Sequence, residues 1–227
     1  MLFECKNLNL VYDEGKEWQT YALKNINLSI EGNKFIGIMG PSGSGKSSLL
    51  YCLAGLKTPN TGSVYYNGSG LTTLPPNEKS ALRKNNFGFI FQKHFLIDYM
   101  TVMENVLVAI NDTSDKSKKK ALAILERLNI GHLANKRPHQ LSGGQNQRVA
   151  IARAFINDPQ VVFADELTAS LDHTNAREVM KILEEFKEMA TVIVVTHDEE
   201  ILKNADEVIH LWDGSIKTID TRRQVIL

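Results

Sequence analysis

Gly40-Pro41-Ser42-Gly43-Ser44-Gly45-Lys46-Ser47 follows the pattern G-x-x-x-x-G-K-[ST], whose chemistry is the grip of a phosphate chain. Glycines let successive backbone N–H groups turn inward at phosphate oxygens, and a helix that starts there presents its positive end. Lys46 is then placed to reach the β- and γ-phosphates, and the Ser47 hydroxyl to ligate Mg²⁺. Many kinases, GTPases and motors share such a loop, so alone it implies a nucleoside triphosphate and nothing finer. The guanine-reading pattern N-K-x-D is absent. Asn135-Lys136-Arg137-Pro138 comes nearest and lacks the acid, which favours adenine.

Other residues could act on the same ligand. Asp165 and Glu166 close the apolar run Val161-Val162-Phe163-Ala164. An acid at a strand end can hold Mg²⁺ through its water shell while its neighbour polarises an attacking water; two adjacent acids alone would also suit an ordinary turn. Tyr12, in the turn-rich segment VYDEG, is an aromatic that could stack on adenine or else fill the core. Gln92 and His197 each follow an apolar run, and by themselves are a surface glutamine and one of six histidines. His94, His132, His139, His173 and His210 take a structural reading. A second glycine-rich segment, Leu141-Ser142-Gly143-Gly144-Gln145, lies far along the chain.

The elements that must position these groups can be read from periodicity. Residues 1–34 alternate apolar and polar side chains as short strands with turns would. Phe35–Met39 predicts a buried strand that runs into the phosphate loop, and Ser47 to Leu56 a helix, which is the context the loop requires. Phe87–Phe91, Val161–Ala164 and Val192–Val195 predict further strands. A helical period dominates from about 98 to 155, with Leu122, Leu125 and Leu128 expected on one face. A helix is expected from Gln145 to about Asn157, and another where Ala176, Val179, Met180, Leu183 and Phe186 repeat at i, i+3, i+4, i+7. Strands alternating with helices argue for an α/β core with a parallel sheet, and the helical stretch for an inserted lobe.

The bulk composition is that of a globular chain: 227 residues, 43 % hydrophobic, 23 % charged, formal net charge zero. That balance gives no support for a nucleic-acid partner drawn by positive charge. Cys5 and Cys52 have no metal-like spacing and read as small buried thiols. Asn111–Lys120 (NDTSDKSKKK) reads as a solvated loop feeding a helix. The start, MLFECKNLNL, holds Glu4 and Lys6 and does not read as a signal peptide. No apolar stretch approaches the ~18 residues a membrane-spanning helix needs. A cytosolic setting is expected, since that is where ATP is.

Taken together, Tyr12, GPSGSGKS, Gln92, LSGGQ, VVFADE, Ser170-Leu171-Asp172 and His197 resemble, in order and spacing, the nucleotide-binding domain of ABC (ATP-binding cassette) transporters. The resemblance covers nearly the whole chain. It implies a single α/β ATPase domain: a P-loop NTPase with a RecA-like core and an antiparallel β part (residues 1–94 and 156–227), plus an inserted all-α helical lobe (95–155) carrying LSGGQ. It implies a homodimer formed head to tail on ATP binding. In that dimer ATP would contact Gly40, Pro41, Ser42, Gly43, Ser44, Gly45, Lys46, Ser47 and Ser48 of one copy, and Ser142, Gly143, Gly144 and Gln145 of the other, with Asp172 bridging the sites. Gln92 and His197 become γ-phosphate contacts acting beside Glu166, and Ser47, Gln92 and Asp165 the Mg²⁺ side. An integral-membrane permease is the implied partner, placing the chain at the cytoplasmic face of the membrane, without nucleic acid.

The wording GIMGPSGSGKSS, FGFIFQKHFLIDYMTVMENV and LSGGQNQRVAIARAF is similar to the macrolide-exporter, lipoprotein-release and antimicrobial-peptide-exporter group, with a cell-division ATPase as a relative. The cargo such a group implies is a peptide, lipoprotein, drug or similar amphipathic molecule. Three departures stand out. Leu167 occupies the place of the usual proline, where it could loosen the turn holding Glu166; Ala169-Ser170 replaces Gly-Asn; and Ser48 replaces threonine. Phe95, Leu96 and Ile97 fit either a groove for a permease segment or plain core packing.

Overall fold

The computed structural model describes residues 1–168 and 173–221. Strands β1 (Phe3–Tyr12) and β2 (Thr20–Ile30) form an antiparallel pair, longer than the short strands expected. Then come β3 (Phe35–Met39), helix α1 (Lys46–Leu53), β4 (Thr61–Tyr66), the short β5 (Ser69–Gly70), α2 (Pro76–Asn86) and β6 (Phe87–Phe91). Helices α3 (Val102–Leu107), α4 (Asp115–Arg127) and α5 (Gly143–Phe155) are inserted before β7 (Val161–Asp165). The chain closes with α6 (His173–Glu185), β8 (Thr191–Val195), β9 (Glu207–Trp212) and β10 (Ser215–Thr221).

Two sheets result. One is antiparallel, ordered β2-β1-β4-β5; the other runs β10-β9-β3-β8-β7-β6, parallel except for the β9–β10 hairpin at one edge. A parallel strand covered on both faces is mostly apolar, and β7 and β8 are so over Val161–Ala164 and Val192–Val195. Their side chains alternate between two cores. Val162, Ala164, Val192 and Val194 face a cluster with α3, α4, α5 and α6, whereas Val161, Phe163, Ile193 and Val195 face α1 and the antiparallel sheet. The inserted helices therefore share one continuous apolar cluster with the central sheet. Between the sheets, Phe3, Tyr66, Phe87 and Phe163 meet at ring-centroid distances of 5.0–6.1 Å, in tilted and edge-on arrangements suited to the ring quadrupole.

The face of α4 differs from the one expected. Ala121, Ile124, Leu125 and Leu128 are buried, while Leu122 is 37 % exposed. Steps of three residues drift by about 60° per step on a 3.6-residue helix, so Leu122 and Leu128 cannot share a narrow face. Leu125→Ala should therefore destabilise the fold by about 2–5 kcal/mol, whereas Leu122→Ala should stay within about 0.5 kcal/mol. Urea unfolding of both variants checks this, and equal costs would contradict the assigned face.

Candidate functional site

One register line sets the site. Phe91 of β6 lies beside Asp165 of β7, Asp165 beside Val195 of β8, and Val195 beside Ile38 of β3. The residues that emerge past this line are Gln92, Glu166, Thr196-His197 and, after Met39, the phosphate loop. Carboxyl ends of parallel strands are where open α/β sheets hold ligands. A cleft of about 410 Å³ opens there. Its floor comprises Ser42, Gly43, Gly45, Lys46, Ser47 and Ser48, one wall Gln92, Asp165 and Glu166, and the other Tyr12, Thr20 and Ala22 from the antiparallel sheet.

The loop is wedged between the two sheets. Gly45 caps α1 at φ 98°, and a Cβ there would lie 2.2 Å from the Ala22 carbonyl oxygen. Gly40 sits at φ 149°, where a Cβ would meet the Leu211 carbonyl at 2.1 Å. Glycine is required at both by backbone angle and by space. The Gly214 amide of the β9–β10 turn donates to the Ser44 carbonyl at 3.1 Å, which props the loop from behind.

Lys46 is buried at 6 % exposure. Its ammonium donates to the Gly40 and Pro41 carbonyls at 2.9 and 2.8 Å, so the loop's one cation curls over its own backbone. The Ser47 hydroxyl donates to Asp165 Oδ1 at 2.9 Å and the Tyr51 hydroxyl to Oδ2 at 2.6 Å. Burial, then the bond to Asp165, pushes the Tyr51 phenol well above its usual range. Tyr51 went unseen in the sequence, though its spacing four residues after Ser47 on one helix was a signal. Thr20 and Ala22 went unseen for lack of any local pattern.

Glu166 has a left-handed backbone at φ 46°, and its amide donates to the Val195 carbonyl at 3.0 Å. The side chain thus leaves the strand line at an angle, with Oε1 4.0 Å from His197 Nδ1. Leu167 is buried in the helical core cluster. Burying such a side chain contributes about 1.5–3 kcal/mol, so apolar packing holds the turn after Glu166 where a proline ring was expected. His197 is exposed and, rather than lining the cleft itself, lines a neighbouring hollow with Gly40, Pro41, His210 and Trp212. Tyr12 lines the cleft; its hydroxyl meets Ser48 Oγ at 3.2 Å, and the Lys57 ammonium sits 4.8 Å from its ring centroid.

The second glycine-rich segment is elsewhere. None of Ser142, Gly143, Gly144 and Gln145 lines the cleft. Ser142 is the N-cap of α5: its hydroxyl accepts from the Gln145 amide at 3.3 Å, and the Gln145 side chain accepts from the Ser142 amide at 2.9 Å. Gly144 packs toward Asn175. At the other end of α5, Arg153 donates to the carbonyls of His94 and Phe95, both at 2.7 Å, gripping the loop that follows Gln92. In that loop Phe95 is 63 % exposed beside a groove lined by Phe89 and Phe91, while Leu96 packs on the core. Asp172, with Ser170 and Leu171, lies outside the described residues.

Residues 23–169 match the family described as ABC transporter. The chain belongs to that family. It is an ABC transporter ATPase subunit, and the P-loop NTPase architecture expected from its motifs is the one observed. The macrolide export ATP-binding/permease protein MacB of Neisseria meningitidis serogroup B is 42 % identical over 219 residues, covering 95 % of this chain but 34 % of that longer protein. HrtA of Staphylococcus haemolyticus, named for hemin import ATP binding, is 40 % identical over 222 residues, 96 % of this chain and all of that one. A dimeric, post-hydrolysis structure of the ATP-binding cassette MJ0796 with ADP and Pi superposes at a TM-score of 0.88. It is 38 % identical, over 98 % of this chain and 99 % of that one. No helix among the described residues is long and apolar enough to cross a membrane.

Proposed function

We propose that two copies of this ABC ATPase close head to tail on ATP and drive a separate membrane permease that exports, or transmits force to, a peptide, lipoprotein, drug or similar amphipathic cargo. The observation that carries this reading is the split site: a cleft rich in phosphate-loop residues, and the capped start of α5, whose Ser142–Gln145 stay out of it. A second copy can bring that segment to the first copy's nucleotide. The resemblance to MacB supports export, whereas HrtA is named for the opposite direction, so direction rests on the exporter-like wording of three segments within residues 37–155.

In this reading Lys46 releases the Gly40 and Pro41 carbonyls to take the β- and γ-phosphates, and the backbone N–H groups of residues 40–48, Pro41 excepted, cradle them. The residues on the metal side suit a hard, oxygen-seeking cation. A hydroxyl has one proton and two lone pairs, and Ser47 spends its proton on Asp165, which leaves oxygen lone pairs to offer. Bound Mg²⁺ would neutralise phosphate charge there, with Ser47, Gln92 and Asp165 around it. Glu166 polarises the attacking water, Gln92 and His197 contact the γ-phosphate, and Tyr12 stacks on adenine. Residues 95–155 form the lobe, residues 1–94 and 156–227 the core, and Asp172 bridges the two sites. The groove beside Phe95 receives the permease, which holds the chain at the cytoplasmic face of the membrane.

A tagged Glu166→Gln form mixed with Mg·ATP and solubilised membranes tests the whole. Co-purification of a polytopic permease with a large extracytoplasmic segment supports the reading; that partner would then show whether it moves cargo or regulates wall hydrolases at cell division. Recovery with soluble nucleic-acid or ribosomal partners alone overturns it.

The split site also separates two variants. Ser142→Asn keeps an N-cap and should leave stability nearly unchanged, whereas Ser142→Ala should lose about 0.5–2 kcal/mol. Both should bind ATP as monomers yet hydrolyse it poorly, because the lost hydroxyl serves the other copy. Normal turnover by the Asn form would count against the sandwich.

A further inference from the structure

We infer that Tyr51 is a positioning residue for the metal side of the site: its hydroxyl fixes the Asp165 carboxylate from beneath, independently of what fills the cleft. This rests on the proposed role of Asp165. Ser47 and Tyr51 stand four residues apart on α1, hence on one helix face, and each donates to a different oxygen of Asp165, at 2.9 and 2.6 Å. The two donors are not equivalent. Ser47 lines the cleft, and its oxygen is also offered to a cation. Tyr51 is outside the cleft lining. Its ring packs on the core between the sheets, and Asp165 is the one partner of its hydroxyl among the described hydrogen bonds.

A carboxylate at a strand end can rotate. With one oxygen tied to Ser47 and the other to Tyr51, the Asp165 plane is set, and its remaining lone pairs have fixed directions. When Ser47 is drawn toward a cation, Tyr51 keeps that plane in place. Hydrogen bonds to ionised acceptors are short and strong, in keeping with a phenol held at 2.6 Å. The requirement is for a hydroxyl at the far end of a long, rigid side chain; phenylalanine fills the same space and lacks it.

The test compares Tyr51→Phe, Asp165→Asn and the native chain by binding of a ribose-labelled fluorescent ATP, first in EDTA and then across a Mg²⁺ titration. Tyr51→Phe should match the native chain in EDTA, which also shows that it is folded. It should need roughly tenfold more Mg²⁺ to reach half of the metal-dependent gain in affinity, the equivalent of one charge-assisted hydrogen bond. The Mg²⁺ concentration for half-maximal hydrolysis should rise in parallel. If Asp165→Asn shifts the Mg²⁺ dependence and Tyr51→Phe does not, the inference is wrong while the metal reading stands. If neither shifts it, the metal reading itself fails, and the inference with it. An equal loss of affinity with and without Mg²⁺ would reduce Tyr51 to a packing residue.

Discussion

Glu166→Gln should leave ATP binding intact and cut hydrolysis by about 10²–10⁴-fold, the range for a lost general base. The substitution is nearly isosteric. The Glu166 amide keeps its bond to Val195, the buried Leu167 still anchors the turn, and the left-handed backbone is as accessible to glutamine as to glutamate. The change is confined to the group that faces the cleft. On the proposed reading ATP holds the two copies together, so a variant that binds but does not hydrolyse it should also accumulate as an ATP-bound dimer. Single-turnover phosphate release and size-exclusion chromatography in Mg·ATP measure the two effects. Full activity would remove Glu166 from the chemistry; slow turnover with a monomer peak would retain the acid and sink the head-to-tail dimer.

The second large effect should come from Lys46→Ala. The native ammonium bridges the Gly40 and Pro41 carbonyls, and on the proposed reading it exchanges both for phosphate oxygens when nucleotide enters. Two charge-assisted hydrogen bonds would be lost, which should weaken ATP binding by about 10²-fold or more. Titration with a fluorescent nucleotide reads this directly. A melting curve without nucleotide separates it from damage to the loop, whose glycines stay wedged against Ala22 and Leu211 whatever stands at position 46. Unchanged affinity would refute the cradle.

What could be read from the sequence was local or strongly periodic. The strand–loop–helix around Lys46 occupies one short stretch, and β7 and β8 carry short apolar, largely β-branched runs, Val161–Ala164 and Val192–Val195, of the kind buried strands have. The face of α6 was legible because its apolar residues recur over a whole helix. Helix α2 was not, because it buries no residue and so leaves no stripe to find. Strand β10 is mostly exposed and defined by its pairing with β9, a relation the sequence does not spell out. Leu122 misled because steps of three imitate a helical face for one turn only. At the site, the groups tied by motif spacing were found. Tyr51 was hidden because its meaning depends on Asp165, more than a hundred positions away in the chain. Thr20 and Ala22 reach the cleft only because a second sheet folds over the loop.

The left-handed backbone of Glu166 has a consequence for how this chain could be engineered. A non-glycine residue at φ 46° carries a local conformational cost of order 1–3 kcal/mol, which asparagine, aspartate and above all glycine lessen. A library screened for heat resistance alone would thus be drawn toward glycine at position 166, gaining melting temperature while discarding the acid. Thermostabilising campaigns on this cassette would need to score turnover and stability in the same round, because at this residue the two criteria select different amino acids.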